Sequence, residues 1–197
     1  MKRILVLTGT PGVGKSTVAG QLASSLPGLH INVNDIVTAE KLILGADETR
    51  KTQIADIPRV SRRIAEIVSE TNGYIIIEGH YASDLVEAED LFMAFVLRRD
   101  PAELQSILRM RGYDPKKVSE NVASEILDIC LVDALQAYGK DKVCEINCSN
   151  KDSMIIAEEI GSILRKAKKC GVGIVDWLTK LESEGTLDSL LALNHER

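Results

Sequence analysis

Short β-favouring runs alternate along the chain with segments of helical spacing. Five such runs predict strands, at residues 4–7, 30–33, 74–78, 92–97 and 142–146. Between them apolar side chains recur at three- and four-residue intervals, as in Val18, Leu22 and Leu26, and this spacing predicts helices. Strands that alternate with helices form parallel βαβ units, and a run that is apolar on both faces is typical of a covered sheet. The pattern therefore predicts an α/β fold with a five-stranded parallel sheet and helices on both faces.

The helical spacing also predicts the longer connections. A helix is expected from Asn34 to Gly45, and the charged residues 46–51 then read as a solvated insertion. One long helix is expected over residues 118–138 and a last core helix over 155–163. Two short segments with amphipathic helical spacing follow Gly171. We therefore expect one domain over residues 1–169 and a C-terminal helical extension over residues 170–197.

Composition and charge narrow the class of protein. The chain has 197 residues, of which 45% are hydrophobic and 4% aromatic, and its formal net charge is −5. An acidic chain with few aromatic side chains argues against a broad face that binds nucleic acid directly. Its four cysteines form no Cys-x-x-Cys pair, it lacks an apolar run of about 20 residues, and its N-terminus reads straight into a strand. These features predict a cytoplasmic protein without membrane association.

A glycine-rich segment separates the first strand from the first helix. Residues 9–16 read Gly-Thr-Pro-Gly-Val-Gly-Lys-Ser and fit the phosphate-loop pattern G-x-x-x-x-G-K-[ST]. Glycines let the backbone amides point inward, and the helix N-terminus adds partial positive charge, so such a loop holds a β-phosphate. Lys15 would bridge the β- and γ-phosphates, and Ser16 would offer its hydroxyl to Mg²⁺. The motif predicts a three-layer P-loop NTPase fold.

The end of the third strand distinguishes between P-loop classes. A GTPase would carry Asp-x-x-Gly there and Asn-Lys-x-Asp later, whereas residues 78–81 read Glu-Gly-His-Tyr and residues 150–153 read Asn-Lys-Asp-Ser. Glu78 instead stands where a P-loop protein places the carboxylate that holds the Mg²⁺ shell. A surface acid at a strand end is the alternative. His80 follows and is a candidate to position an attacking water or an acceptor, or merely to cap the loop.

A basic segment is the candidate lid over the transferring phosphate. Residues 98–117 contain six basic side chains against three acidic ones, in a chain that is acidic overall. Arg111, beside Gly112, could swing in and stabilise charge in the transition state. Arg99 and Lys117 read individually as solvated surface residues. Asp133 falls on the apolar arc of the long helix, and we expect it either to orient a lid arginine or to lie at an exposed helix end.

With these residues in place, the chain resembles the adenylate kinase isoenzyme six family, described as a coilin-interacting nuclear ATPase in animals and as a small-ribosomal-subunit maturation factor in yeast and archaea. The similar pieces are Gly-Thr-Pro-Gly-Val-Gly at 9–14, Ile-Asn-Val-Asn-Asp at 31–35, Glu-Gly-His-Tyr at 78–81, Val-Leu-Arg-Arg-Asp at 96–100, Arg-Gly-Tyr at 111–113, Lys-Lys-Val at 116–118 and Glu-Asn at 120–121. They cover about residues 3–155, and the tail from Gly171 lies outside them.

The resemblance implies a nucleoside monophosphate kinase fold and a broad-specificity kinase that prefers AMP, with ATPase activity and Mg²⁺. It also implies a partner in the platform of the small ribosomal subunit. Residues 32–54 would form the monophosphate-binding segment and residues 110–120 the lid. Together with the motif reasoning above, this makes Lys15, Arg111 and His80 the predicted catalytic residues and Ser16 and Glu78 the predicted metal ligands. The implied ATP-binding residues are Gly12, Val13, Gly14, Lys15, Ser16, Thr17, Arg111 and Lys151.

Two departures from the family pattern bear on the substrate. Glu78 stands where the animal members carry aspartate. Residues 35–39 lack the arginine with which adenylate kinases commonly hold AMP, and Arg50 and Arg59 are the candidates to replace it. Two other readings therefore stay open beside the kinase. One is an assembly factor whose ATP site is a binding switch, and the other is a small-metabolite P-loop kinase of the shikimate or gluconate kind.

Overall fold

The computed structural model describes residues 2–47 and 52–191. The strands are β1 (Arg3–Thr8), β2 (Gly28–Asn32), β3 (Ile43–Asp47), β4 (Thr52–Ala55), β5 (Tyr74–Glu78), β6 (Leu91–Arg98) and β7 (Val143–Asn147). The α-helices are α1 (Lys15–Ser25), α2 (Val33–Ala39), α3 (Ile57–Glu70), α4 (Pro101–Met110), α5 (Pro115–Ile126), α6 (Ile129–Tyr138), α7 (Ser153–Leu164), α8 (Trp177–Glu184) and α9 (Leu187–Leu191). A 3₁₀ turn spans Ala82–Asp84.

Five strands form one parallel sheet in the order β2-β5-β1-β6-β7. Side chains alternate along β1, so that Leu5 and Leu7 face one layer of helices while Ile4 and Val6 face the other. The first layer contains α1, α4, α5 and α7, and the second contains α2, α3 and α6. The expected α/β fold, with a five-stranded parallel sheet and helices on both faces, is confirmed. Since β1 lies in the middle of the sheet, the loop that follows it lies at the centre of the sheet's carboxyl edge.

The segment after α2 differs from the expected long helix. The helix ends at Ala39, and Lys41 adopts a left-handed φ of 52°. The chain then forms the antiparallel pair β3–β4, which is closed at its base by a hydrogen bond from the Asp56 amide to the Leu42 carbonyl, 2.9 Å. Residues 46 and 47 of the expected insertion belong to β3, and residues 48–51 lie outside the described residues. Helical spacing was misleading here because cross-strand pairing decided the conformation.

The single helix expected over residues 118–138 is broken into α5 and α6. Asp128 adopts a left-handed φ of 59° between them, a conformation that aspartate tolerates better than most residues. Its carboxylate pairs with the guanidinium of Arg98, which is the last residue of β6. The break therefore coincides with an ion pair between elements that lie far apart in the sequence.

The C-terminal segment packs on the same core as the sheet. Trp177, Leu181 and Leu190 are buried, and the two leucines join the apolar layer that α1 and α5 also cover. The Asp176 carboxylate accepts a hydrogen bond from the Thr179 amide and caps α8. The separation of residues 170–197 as an extension stays a prediction. Among the described residues, no helix is long and apolar enough to cross a membrane.

Candidate active site

The loop between β1 and α1 has the backbone geometry that a phosphate site needs. Gly14 caps α1 in the left-handed region at φ 109°, and Gly12 has φ 98°. A Cβ on Gly12 would lie 2.9 Å from the side chains of Leu104 and Leu108, so α4 packs directly on the loop. Glycine is required at this position by both the conformation and the packing.

Lys15 begins α1 and folds back over the loop. Its Nζ donates hydrogen bonds to the carbonyls of Gly9 at 2.7 Å and Thr10 at 3.1 Å. Burial lowers the pKa of Lys15, while the nearby Cys130 and Glu78 raise it. Arg111 lowers this pKa further, so its positive charge acts on Lys15 across the site. The fold thus brings two of the predicted catalytic cations near each other.

Glu78 ends β5 and is buried beside the loop. Its Oε1 accepts a hydrogen bond from Asn32 Nδ2 at 2.6 Å and lies 3.8 Å from His30 Nε2. Burial raises the pKa of Glu78, but interactions with His30 and Ser16 and the charge of Lys15 outweigh it and leave the pKa below its ordinary value. A charged carboxylate beside a serine hydroxyl supplies the oxygen donors that Mg²⁺ prefers, so the two predicted metal ligands fit that ion.

A cleft of about 990 Å³ opens over the loop and Glu78. Its lining includes Gly12, Gly14, Lys15, Ser16 and Thr17 from the predicted ATP site. One wall comes from the predicted monophosphate segment and contains Asn34, Val37, Thr38, Gln53 and Ile54. A second wall comes from the predicted lid and contains Arg111, Tyr113, Lys117 and Glu120. The three predicted parts of a kinase site therefore surround one space.

His80 lines the same cleft just beyond Glu78. Its ring contacts Tyr81 edge-on, with centroids 4.3 Å apart. His80 keeps an exposed side chain, but desolvation of the ring by the protein around the cleft, together with the charges of Lys15 and Lys117, lowers its pKa to about 4. The imidazole is therefore uncharged near neutral pH.

The basic segment 98–117 is not one lid. Arg98 is only 1% exposed and donates to the carboxylates of Glu125 and Glu145, at 2.9 and 2.6 Å, and to Asp128. Arg99 is also buried, and its Nε donates to the Val13 carbonyl at 3.2 Å. The expectation that Arg99 is a solvated residue is wrong, because its side chain is buried and bonds to the backbone of the phosphate loop.

Lys117 was also expected to be a solvated surface residue, and this too is wrong. Lys117 lines the cleft, with its Nζ 5.5 Å from the centre of the Tyr113 ring. Arg111, at the end of α4, lies at the cleft as expected.

Three other predicted residues lie apart from the cleft lining. Val13 has a buried side chain, and Lys151 pairs with Glu159 at 2.9 Å, so the roles of both in ATP binding stay predictions. Arg59 is an exposed residue of α3 that lies 3.9 Å from Asp56. The other candidate to hold AMP, Arg50, lies outside the described residues.

Asp133 lines the cleft but has no ion pair with an arginine among the described residues. Burial and the charge of Asp84 raise its pKa. Asp133 is exposed, as the alternative expected, but it lies in the middle of α6 rather than at a helix end, and the lid-arginine hypothesis does not fit.

Several site residues were missed at the level of sequence. Asn32 orients Glu78, and Glu125 accepts a hydrogen bond from the Thr10 hydroxyl at 2.6 Å. Asn32 could have been found, because it ends a strand beside the strand that ends in Glu78. Glu125 lies 115 residues from Thr10 along the chain, and no spacing rule connects them.

Comparisons with known proteins agree with this geometry. The AAA_18 family, described as an AAA domain, matches residues 5–128. A protein of Methanocaldococcus jannaschii named "Putative adenylate kinase" is 37% identical over 184 residues, which cover 93% of this chain and 98% of that protein.

Solved structures of low sequence identity share the fold. The tunicamycin resistance protein of Deinococcus radiodurans superposes with a TM-score of 0.59 at 20% identity, covering 83% of this chain and 96% of that one. Shikimate kinase from Bacteroides thetaiotaomicron superposes with a TM-score of 0.54 at 16% identity, covering 83% and 98%. The chain therefore belongs to the AAA_18 family and to the same family as the archaeal proteins named "Putative adenylate kinase".

Proposed function

We propose that this protein is a nucleoside monophosphate kinase that transfers the γ-phosphoryl group of ATP to AMP, and more slowly to other nucleoside monophosphates. The observation that carries the proposal is the shared cleft, in which Lys15 and Glu78 face Arg111 and Lys117. In-line phosphoryl transfer needs positioning and charge neutralisation more than covalent chemistry, and this arrangement supplies both. The relatives named as adenylate kinases support the same reaction.

The residues of the loop bind and orient the donor. The backbone N–H groups of residues 9–16, apart from Pro11, surround the β-phosphate, and Lys15 leaves its carbonyl partners to neutralise charge between the β- and γ-phosphates. Ser16 and Glu78 would hold Mg²⁺, which when bound offsets the negative charge of the phosphate oxygens. Arg111 stabilises the charge that develops on the transferring group. Lys151 approaches the nucleotide from the loop after β7.

The acceptor enters between the two walls of the cleft. The described lining contributed by residues 34–57 contains no arginine or lysine. Arg50 lies outside the described residues. On the lid side the cleft lining offers Arg111 and Lys117, and we propose that these two cations hold the acceptor phosphate. His80 lies between the loop and this wall and orients the acceptor oxygen toward the γ-phosphate.

A coupled assay tests the proposal directly. ADP formation from ATP would be measured with AMP, CMP, GMP and UMP in turn, and the ATP-only rate would be subtracted. We expect the highest kcat/KM with AMP and loss of activity in Lys15→Met, while Lys140→Met, at an exposed lysine outside the cleft lining, keeps it. Failure of every monophosphate to raise ADP formation above the ATP-only rate would contradict the kinase.

We also propose ATP hydrolysis as a second activity, in which a water molecule in the cleft takes the place of the acceptor oxygen. The assay without monophosphate measures this activity as phosphate release. His80→Ala should lower both rates if the imidazole positions the attacking oxygen. A hydrolysis rate that is equal in wild type and Lys15→Met would show that the phosphate comes from a contaminant.

We further propose a cytoplasmic role in maturation of the small ribosomal subunit, through a basic ribosomal protein of the platform. The net charge of −5 supports such a partner, because opposite charge favours encounter with a basic protein over bare RNA. Affinity capture from a cell extract, with and without ATP, tests this role. If no ribosomal protein is retained in either condition, the role is excluded.

A further inference from the structure

The phosphate loop is connected to the C-terminal segment through one buried carboxylate, Glu125 of α5. Its Oε2 accepts a hydrogen bond from the hydroxyl of Thr10 at 2.6 Å. Its Oε1 accepts three donors, namely Arg98 Nε at 2.9 Å, the Arg99 amide at 3.1 Å and Trp177 Nε1 at 3.1 Å. Glu125 is 1% exposed, so each of these bonds is shielded from water.

Thr10 is the member of this network that belongs to the nucleotide site. Its carbonyl accepts hydrogen bonds from Lys15 Nζ at 3.1 Å and from the Val13 amide at 3.3 Å. Glu125 holds the Thr10 side chain in place. The position of Thr10 in turn sets the positions of Lys15 Nζ and the Val13 amide, which both bond to its carbonyl. A shift of Glu125 would be transmitted to Lys15 through a single residue.

Trp177 is the member that belongs to the C-terminal segment. It is 6% exposed and begins α8. A second bond holds the segment nearby, from the Ile174 amide to Glu145 Oε2 at 2.8 Å, while Glu145 Oε1 accepts from Arg98 at 2.6 Å. The segment therefore bonds to two of the three carboxylates that surround the buried arginine.

We propose that Glu125 and Trp177 are positioning residues for the phosphate loop, so that the segment beyond residue 170 sets the affinity of the loop for ATP. The inference rests on the proposed function only in that the loop binds ATP. A packing role alone would make Trp177 a source of stability with no specific effect on the nucleotide. A positioning role predicts an effect on ATP that is separable from stability.

The test compares two variants of α8 that both remove buried packing. Trp177→Phe removes the indole N–H that bonds to Glu125, whereas Leu181→Ala removes apolar contact and leaves the network intact. Both should lower Tm. Only Trp177→Phe should raise the Kd for ATP, by about two- to tenfold, and the KM for ATP should rise with it while the KM for AMP stays within about twofold. If Leu181→Ala does not fold, Leu181→Val replaces it.

Two further measurements test whether the effect passes through Glu125. In a double-mutant cycle, Thr10→Val and Trp177→Phe should raise Kd together by less than the product of their separate effects. Trp177 is also the only tryptophan in the chain, so its emission should change on titration with ATP and lose that change in Thr10→Val.

The inference is overturned if Trp177→Phe lowers Tm as Leu181→Ala does but leaves the Kd for ATP unchanged, or if the two single effects multiply in the cycle. Wild type that binds ATP but transfers phosphate to no monophosphate would contradict the proposed kinase, while the binding comparison would still decide the positioning role. Wild type that does not bind ATP would contradict both.

Discussion

Two arginines that lie thirteen positions apart have opposite surroundings. Arg98, at the end of β6, is buried and bonded to the carboxylates of Glu125, Asp128 and Glu145. Arg111, at the end of α4, is exposed and lines the cleft. Both belong to the same basic stretch of sequence, yet one neutralises buried acids of the fold and the other faces the space where phosphates would bind. Charge alone does not identify a catalytic arginine, because burial and the position of the carboxylates decide what the charge can reach.

The largest expected effect comes from removing the buried arginine. Arg98→Met leaves two fully buried carboxylates and one partly exposed carboxylate without their cation, and this should lower the free energy of unfolding by about 3–5 kcal/mol. Urea denaturation followed by circular dichroism measures the change. Arg62→Met, on the exposed side of α3, is the control and should leave the midpoint where it was. If the urea midpoint of Arg98→Met shifted as little as that of Arg62→Met, the contrast between the buried Arg98 and the exposed Arg111 would be contradicted.

Arg111→Met tests the exposed arginine that lines the cleft. Because Arg111 is exposed, the free energy of unfolding should stay unchanged, while phosphoryl transfer should fall by about 10²- to 10³-fold. The coupled assay and a urea titration measure the two quantities in parallel. Arg109→Met, two residues earlier at the exposed end of α4 and outside the cleft lining, should keep the wild-type rate. Equal losses in both variants would mean that the net charge of the lid matters and the position of Arg111 does not.

Lys117→Met tests whether the second basic residue of the lid that lines the cleft acts on the acceptor or on the donor. The methionine keeps most of the apolar stem beside Tyr113 but removes the charge, so the KM for the monophosphate should rise by about tenfold with a smaller change in the KM for ATP. Lys116→Met is the matched control, because Lys116 is an exposed residue of α5 that does not line the cleft. A rise in the KM for ATP alone would assign Lys117 to the donor.

The smallest effect is expected at Asp133. Its pKa is raised by burial and by Asp84, so ionisation of Asp133 disfavours the folded state, and this cost develops as pH rises through the pKa values of the unfolded and folded states. Asp133→Asn should therefore raise Tm slightly at pH 7, and the difference should vanish at a pH below the ordinary value of 3.8. Turnover should be unchanged, whereas a clear loss of turnover would restore the idea that Asp133 orients an arginine.

Local patterns predicted the sheet because each strand carries its own signal. Apolar runs such as residues 74–78 are dictated by burial on both faces, and that signal requires no knowledge of distant partners. The same holds for the phosphate loop, whose glycines and Lys15 are consecutive in sequence. The β3–β4 hairpin was missed because its apolar side chains, including Leu44 and Ile54, are exposed and provide no burial pattern.

The sequence by itself determined the parallel sheet, the phosphate loop and the acid at the end of β5, since these depend on residues that are neighbours in the chain. The tertiary structure alone decided which basic residues between 98 and 117 are buried and which line the cleft, and it alone made the link from Trp177 through Glu125 to Thr10. The physical reason is that the free energy of a buried charge depends on which opposite charges and donors surround it. Those partners come from elements that only the fold brings together.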